Sequence, residues 1–103
     1  MTPVIYLEPA ILELERAFDR YVDRSPRIAE AFLDEVERAL DQLRAFPDSA
    51  PVLLRPVRRK VLLKYPFSIL YYLKNEHVIV VSVMHHKQPP GYWKTRVPIR
   101  DRA

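Results

Sequence analysis

The sequence predicts an α+β domain whose elements run strand, helix, helix, strand, strand, strand. Between residues 9 and 46, apolar side chains recur at the spacing of two amphipathic helices. After Pro51 the pattern changes to three strand-length runs rich in Val, Ile, Leu and Tyr. Prolines stand at the joints between these segments, where their fixed φ and missing N–H do least harm.

Val4-Ile5-Tyr6-Leu7 reads as a short opening strand, stopped by Glu8-Pro9. Pro9 suits the first turn of a helix, where its absent N–H has no partner to lose. Ile11, Leu14, Phe18, Tyr21 and Val22 then mark an apolar stripe, with Glu13, Arg16, Asp19 and Arg20 between them. Ser25-Pro26 ends this helix and opens the next, with the serine placed as an N-cap. The second stripe comprises Ile28, Ala29, Phe32, Leu33, Val36, Ala39, Leu40, Leu43 and Phe46, and Pro47 closes it. So short a break predicts an antiparallel helical hairpin. The strands are expected at Arg58–Lys64, Phe67–Lys74 and Val78–His85, with Tyr65-Pro66 separating the first two and Asn75-Glu76 turning between the last two. In the middle strand, Phe67, Ile69, Tyr71 and Leu73 share one face, and Ser68, Leu70, Tyr72 and Lys74 the other. The last run alternates less cleanly, as a strand buried on both faces does.

At 103 residues the chain, residues 1–103, forms one domain with one core. It has no cysteine, which excludes disulfides, thiolate catalysis and cysteine-based metal sites. Its single glycine, Gly91, rules out the glycine-rich loops that cradle phosphates. The longest nearly unbroken apolar run, Val78 to Met84, falls far short of the roughly 20 residues of a membrane span. No secretion signal is recognisable, so no membrane partner is expected and the cytoplasm is the expected location. Charge is divided sharply: residues 1–53 hold 6 Lys+Arg against 11 Asp+Glu, a balance of −5, and residues 54–103 hold 11 against 2, or +9. A basic half of this kind suggests an anionic partner.

The chemistry-bearing residues gather in that half. His85 and His86 offer proton transfer, Lys60, Lys87 and Arg96 offer charge, and Tyr92 and Trp93 offer stacking surface. Within a strand, His85 and His86 point to opposite faces and cannot share one task. No acidic or further histidine partner lies at ligand spacing, so neither a metal nor another cofactor is expected. Trp93 also fits a clasp folding the C-terminal segment onto the sheet. Arg58-Arg59-Lys60 fits a charged strand edge as well as a binding surface.

The element order, together with Arg58-Arg59-Lys60-Val61-Leu62-Leu63, Tyr65-Pro66-Phe67-Ser68-Ile69-Leu70-Tyr71-Tyr72 and Val83-Met84-His85-His86-Lys87-x-x-Pro90-x-Tyr92-Trp93-x-x-Arg96, resembles the RelE/ParE toxin superfamily, and most of all its ParE-like, plasmid-stabilisation members. The resemblance implies a small curved, mainly antiparallel sheet with the helical hairpin packed on one face. It further implies a toxin of a type II toxin–antitoxin system, neutralised by a cognate antitoxin that wraps it. RelE-like members cut mRNA on the ribosome, whereas ParE-like members inhibit DNA gyrase. One fold serves both, so fold cannot choose between them.

Ribonuclease-type members carry an arginine just before the Ile-x-Tyr or Leu-x-Tyr pattern, where this chain has Ser68. Many relatives also have two arginines after the histidine, where Lys87-Gln88 stand here. Lysine supplies charge without the bidentate fork that grips phosphate. The reading therefore leans from an enzyme toward a gyrase-binding toxin. A metal-independent endoribonuclease, with His86, Lys87 and Arg96 as its catalytic candidates, is the alternative, and a degenerate non-toxic binding module is a third. Arg58, Arg59, Lys60, Lys64, Tyr92 and Lys94 are the candidate target- or nucleic-acid-binding residues. His86 and Arg96 are both expected on the exposed basic surface.

Overall fold

A computed structural model of the chain describes residues 2–98. Strand β1 (Val4–Tyr6) leads into helix α1 (Glu8–Arg24), and helix α2 (Pro26–Ala45) follows across the single residue Ser25. Both helices carry proline in the first turn, as expected. Ser25 stands at the N-cap of α2, but its side chain makes no capping hydrogen bond, so the proline and packing set the boundary. Four strands then follow: β2 (Val52–Leu54), β3 (Val57–Val61), β4 (Phe67–Lys74) and β5 (His77–His85).

The sheet has five strands in the order β1-β5-β4-β3-β2. Only β1 runs parallel to its neighbour β5; the other pairings are antiparallel. The sequence reading missed β2, whose three residues are too few to show a period. It also extended the following strand too far: β3 ends at Val61, and residues 62–66 form a loop. The hairpin between β4 and β5 turns through Asn75 and Glu76, at φ of 52° and 62°. Positive φ at both positions is what a two-residue turn needs to match the twist of its strands.

Each face of this sheet is covered. On one, Phe67, Ile69 and Tyr71 of β4 and Val78, Val80 and Val83 of β5 pack against Ala17 of α1 and Phe32, Val36 and Leu40 of α2. On the other, Leu70, Tyr72, Ile79, Val81 and Met84 pack beneath Trp93 and Val97 of the C-terminal segment. The expected division of β4 by alternation therefore holds through Tyr72, while Leu73 is exposed. The helical stripes need correction at three positions. Ile11, Ile28 and Phe46 are exposed, the last by 69%. In α1 the sheet-facing line is Ala10, Leu14, Ala17 and Tyr21, at spacings of four, three and four. Ile11 falls to one side of it, and Phe46 lies past the end of α2.

One irregularity positions the site. Leu70 pairs with Ser82 and Tyr71 with Val80, so Val81 is an extra residue in β5. A bulge of this kind resets the alternation. Ser82 thereby comes to share the face of Leu70, on the side of the C-terminal segment.

Candidate functional site

Residues 86–97 form a strap across the second face that includes a single 3₁₀ turn at Lys94–Arg96. Trp93 is buried beneath it, as a clasp requires. A polar knot fastens the far end. Glu13 projects from α1, and its carboxylate accepts hydrogen bonds from Tyr92 Oη at 2.6 Å, Ser82 Oγ at 2.9 Å and Val83 N at 3.1 Å. Arg96 grips the same carboxylate with both Nη atoms, at 3.1 and 3.0 Å. Nη1 of Arg96 also donates to the carbonyl of Val81 at 3.1 Å, and its guanidinium lies over the Tyr92 ring. Because β1 stops pairing at Val80, the edge of β5 beyond it would otherwise leave backbone groups without partners. Glu13 and Arg96 supply those partners with side chains.

Arg96 is therefore not on the open basic surface, and that expectation is corrected. Its side chain is only 18% exposed and its charge is matched by Glu13, itself 15% exposed. Tyr92 belongs to the same knot. Burial first, and then its bond to the Glu13 carboxylate, push the phenol up to about 12. Ionisation of Tyr92 thus occurs more readily in the unfolded chain, and the stability it contributes is complete below pH 10. We expect stability to fall as pH rises from about 10 to about 12. Tyr6, also raised to about 12 mainly by burial, adds to the same slope. Tyr92→Phe should flatten the decline without abolishing it, and should cost about 1 kcal/mol at neutral pH. Chemical denaturation at a series of alkaline pH values checks both.

A second cluster lies in an open cleft of about 390 Å³ between the strap and β2–β3. Arg59, His86 and Lys94 line it beside Leu53, Leu54 and Trp93. Two of these side chains share one buried partner: Ser68, fully buried, whose Oγ accepts from Arg59 Nε at 3.0 Å and lies 2.9 Å from His86 Nε2. The hydroxyl accepts from Arg59, so its own proton is free to donate to an unprotonated His86 Nε2. Ser68 thus holds an arginine and a histidine on one face of the sheet. We expect Ser68→Ala to leave the fold intact but free the His86 ring, seen as altered imidazole chemical shifts by NMR.

The remaining candidates are dispersed. Arg58 points toward the helical side, where its guanidinium donates to the carbonyls of Asp48 and Ala50. Alternation therefore splits Arg58 from Arg59, and the two do not form one patch. Lys60 and Lys64 lie at a third place, beside Arg38 and Glu35 of α2. Lys87 is exposed, and its backbone N donates to His85 Nδ1. His85 itself packs edge-on against Phe67 on the helical side, with its pKa lowered by burial and by the cations around it. The two histidines do face opposite ways. Among the described residues, no three His, Cys, Asp or Glu side chains gather as a metal site, and no helix is long and apolar enough to cross a membrane.

Sequence reasoning missed Glu13, Ser82 and Glu35. Nothing local marks Glu13, because its partners lie about 70 to 80 positions away. Ser82 offered a weak signal as a hydroxyl inside an apolar run. Glu35 offered a stronger one, since it falls at the buried spacing between Phe32 and Ala39.

The sequence model of the ParE toxin of type II toxin–antitoxin systems, parDE, matches residues 4–90. A solved structure described as the chromosomal ParDE TA system from P. aeruginosa superposes with a TM-score of 0.71 at 19% sequence identity. The match covers 82% of this chain and 96% of that one. At such identity the likeness is one of fold. No curated protein matches the chain by sequence. The family match stops before Tyr92 and Arg96, so the knot on Glu13 lies partly outside it.

Proposed function

Because this chain belongs to the ParE toxin family and is the toxin component of a type II toxin–antitoxin system, we propose that it acts by binding and inhibiting DNA gyrase, and that a cognate antitoxin neutralises it. The observation that carries this reading is the separation of the residues that RNA cleavage would need. Cleavage without a metal requires an acid, a base and cations around one phosphate. Here the ring of His86 is tied to Ser68, and Arg96 is neutralised by Glu13 in a different cluster. Lys87 is exposed and does not line the cleft that holds His86. What the basic half does offer is charge spread over Arg59, Lys60, Lys64 and Lys94, which suits recognition of an acidic surface. Such a target places the protein in the cytoplasm.

Induction of the chain alone in bacteria, with pulse-labelling of DNA and protein synthesis, tests the proposal. DNA synthesis should fall first, and purified protein should block supercoiling by gyrase. An early fall in protein synthesis with cleaved mRNA would return attention to Lys87, His86 and the cleft that His86 borders.

A further inference from the structure

Two unusual features meet in the loop between β3 and β4. Leu63 is 93% exposed, the most exposed large apolar side chain among the described residues. Directly behind it, Glu35 of α2 is only 6% exposed, although the proposed function uses no carboxylate there. The two are linked, since the Glu35 carboxylate accepts hydrogen bonds from the backbone N–H groups of both Leu63 and Lys64. Further bonds fix the same loop: Leu62 N donates to Phe67 O, Phe67 N to Tyr65 O, and Tyr65 Oη to Ile28 O. Its anchor points Leu62 and Phe67 are buried in the core.

A buried carboxylate is retained only where it is well bonded, and this one spends its acceptors on holding a leucine out in water. Folding gains nothing from that exposure. An ordered apolar side chain on a braced loop is, however, suited to binding, because little freedom remains to be lost on association. Val61, also exposed, extends the apolar surface, and Lys60, Lys64 and Arg38 border it.

We infer that Leu63 is an anchor that inserts into an apolar socket rimmed by carboxylates on the folded target. A convex, preformed knob needs a partner with a preformed hollow. A flexible segment wrapping the toxin would instead seek a groove or a strand edge, so the shape selects the target over the antitoxin. The cations around Leu63 select an acidic rim. This inference rests on the gyrase reading and deepens it by naming the contact.

The test measures affinity of the purified full chain for purified gyrase and for its antitoxin, with wild type, Leu63→Asp and Leu63→Met. Because Leu63 makes so little contact with its own protein, both variants should melt within a few degrees of wild type. Leu63→Asp should weaken gyrase binding at least tenfold, Leu63→Met should stay within about threefold, and antitoxin affinity should be unchanged. Gyrase binding by Leu63→Asp within twofold of wild type overturns the anchor while leaving the target reading intact. Loss of antitoxin binding alone overturns the choice of partner. Absence of gyrase binding by wild type removes the target reading and this inference with it.

Discussion

Phe32→Ala is expected to cost about 3–5 kcal/mol of stability. Phe32 is fully buried at the meeting of α1, α2 and β4, with ring centroids 5.1 Å from Tyr21, 5.3 Å from Tyr65 and 5.4 Å from Phe67. Truncation removes the ring at the centre of this aromatic group and leaves a void that neighbours from three elements cannot fill together. For a domain whose total stability is about 5–15 kcal/mol, this is a large share. A thermal melt followed by circular dichroism should show a drop of roughly 15 °C or more. A melting temperature close to wild type would refute the packing described. Phe32→Leu, which retains most of the volume, should lose much less.

Removal of Glu13 is the next largest effect expected. Glu13→Ala takes from Arg96, Tyr92, Ser82 and Val83 N the one carboxylate that they share. Breaking a fully buried ion pair costs about 3–5 kcal/mol because the surviving charge stays desolvated. Here both partners keep some contact with water, so a loss of about 2–3 kcal/mol is expected. The lesion should also be local. The strap is held by the knot through Tyr92 and Arg96 and by Trp93 buried between them, so losing the knot should loosen the strap before the helices. Trp93 is the only tryptophan in the chain, and its fluorescence reports this directly. Its emission should shift to the red in Glu13→Ala at temperatures where helical ellipticity is still native. A blue emission that persists until global unfolding would show that burial of Trp93 alone holds the strap. Glu13→Leu combined with Arg96→Met should recover part of the stability, because it removes both charges together.

Much of the fold was legible because its signals are local. The prolines at residues 9 and 26 opened the helices where expected. Alternation along β4 assigned Phe67, Ile69 and Tyr71 to one face and Leu70 and Tyr72 to the other. The errors have equally physical causes. Large apolar residues drew the helical stripe toward Ile11 and Ile28, whereas the line of closest approach is marked in α1 by Ala10 and Ala17, whose small size lets helix and sheet meet. Strand β2 is invisible because three residues carry no period, and β3 ends early because Glu35 takes over the backbone donors of Leu63 and Lys64.

The candidate site divides along the same line. The sequence by itself determined the element order, the helical hairpin, the opposite orientation of His85 and His86 and the basic character of the second half, since each follows from spacing or composition. Only the tertiary structure decided which cations remain available. Arg96 is matched by a carboxylate 83 positions away, Arg58 is turned to the helical side, and Arg59 is joined to His86 through the buried hydroxyl of Ser68. The pairing of Arg96 depends on a bulge in β5 and on a strap folding back across the sheet. Local spacing carries no record of either, because a side chain's partner is chosen by distance in space and not along the chain.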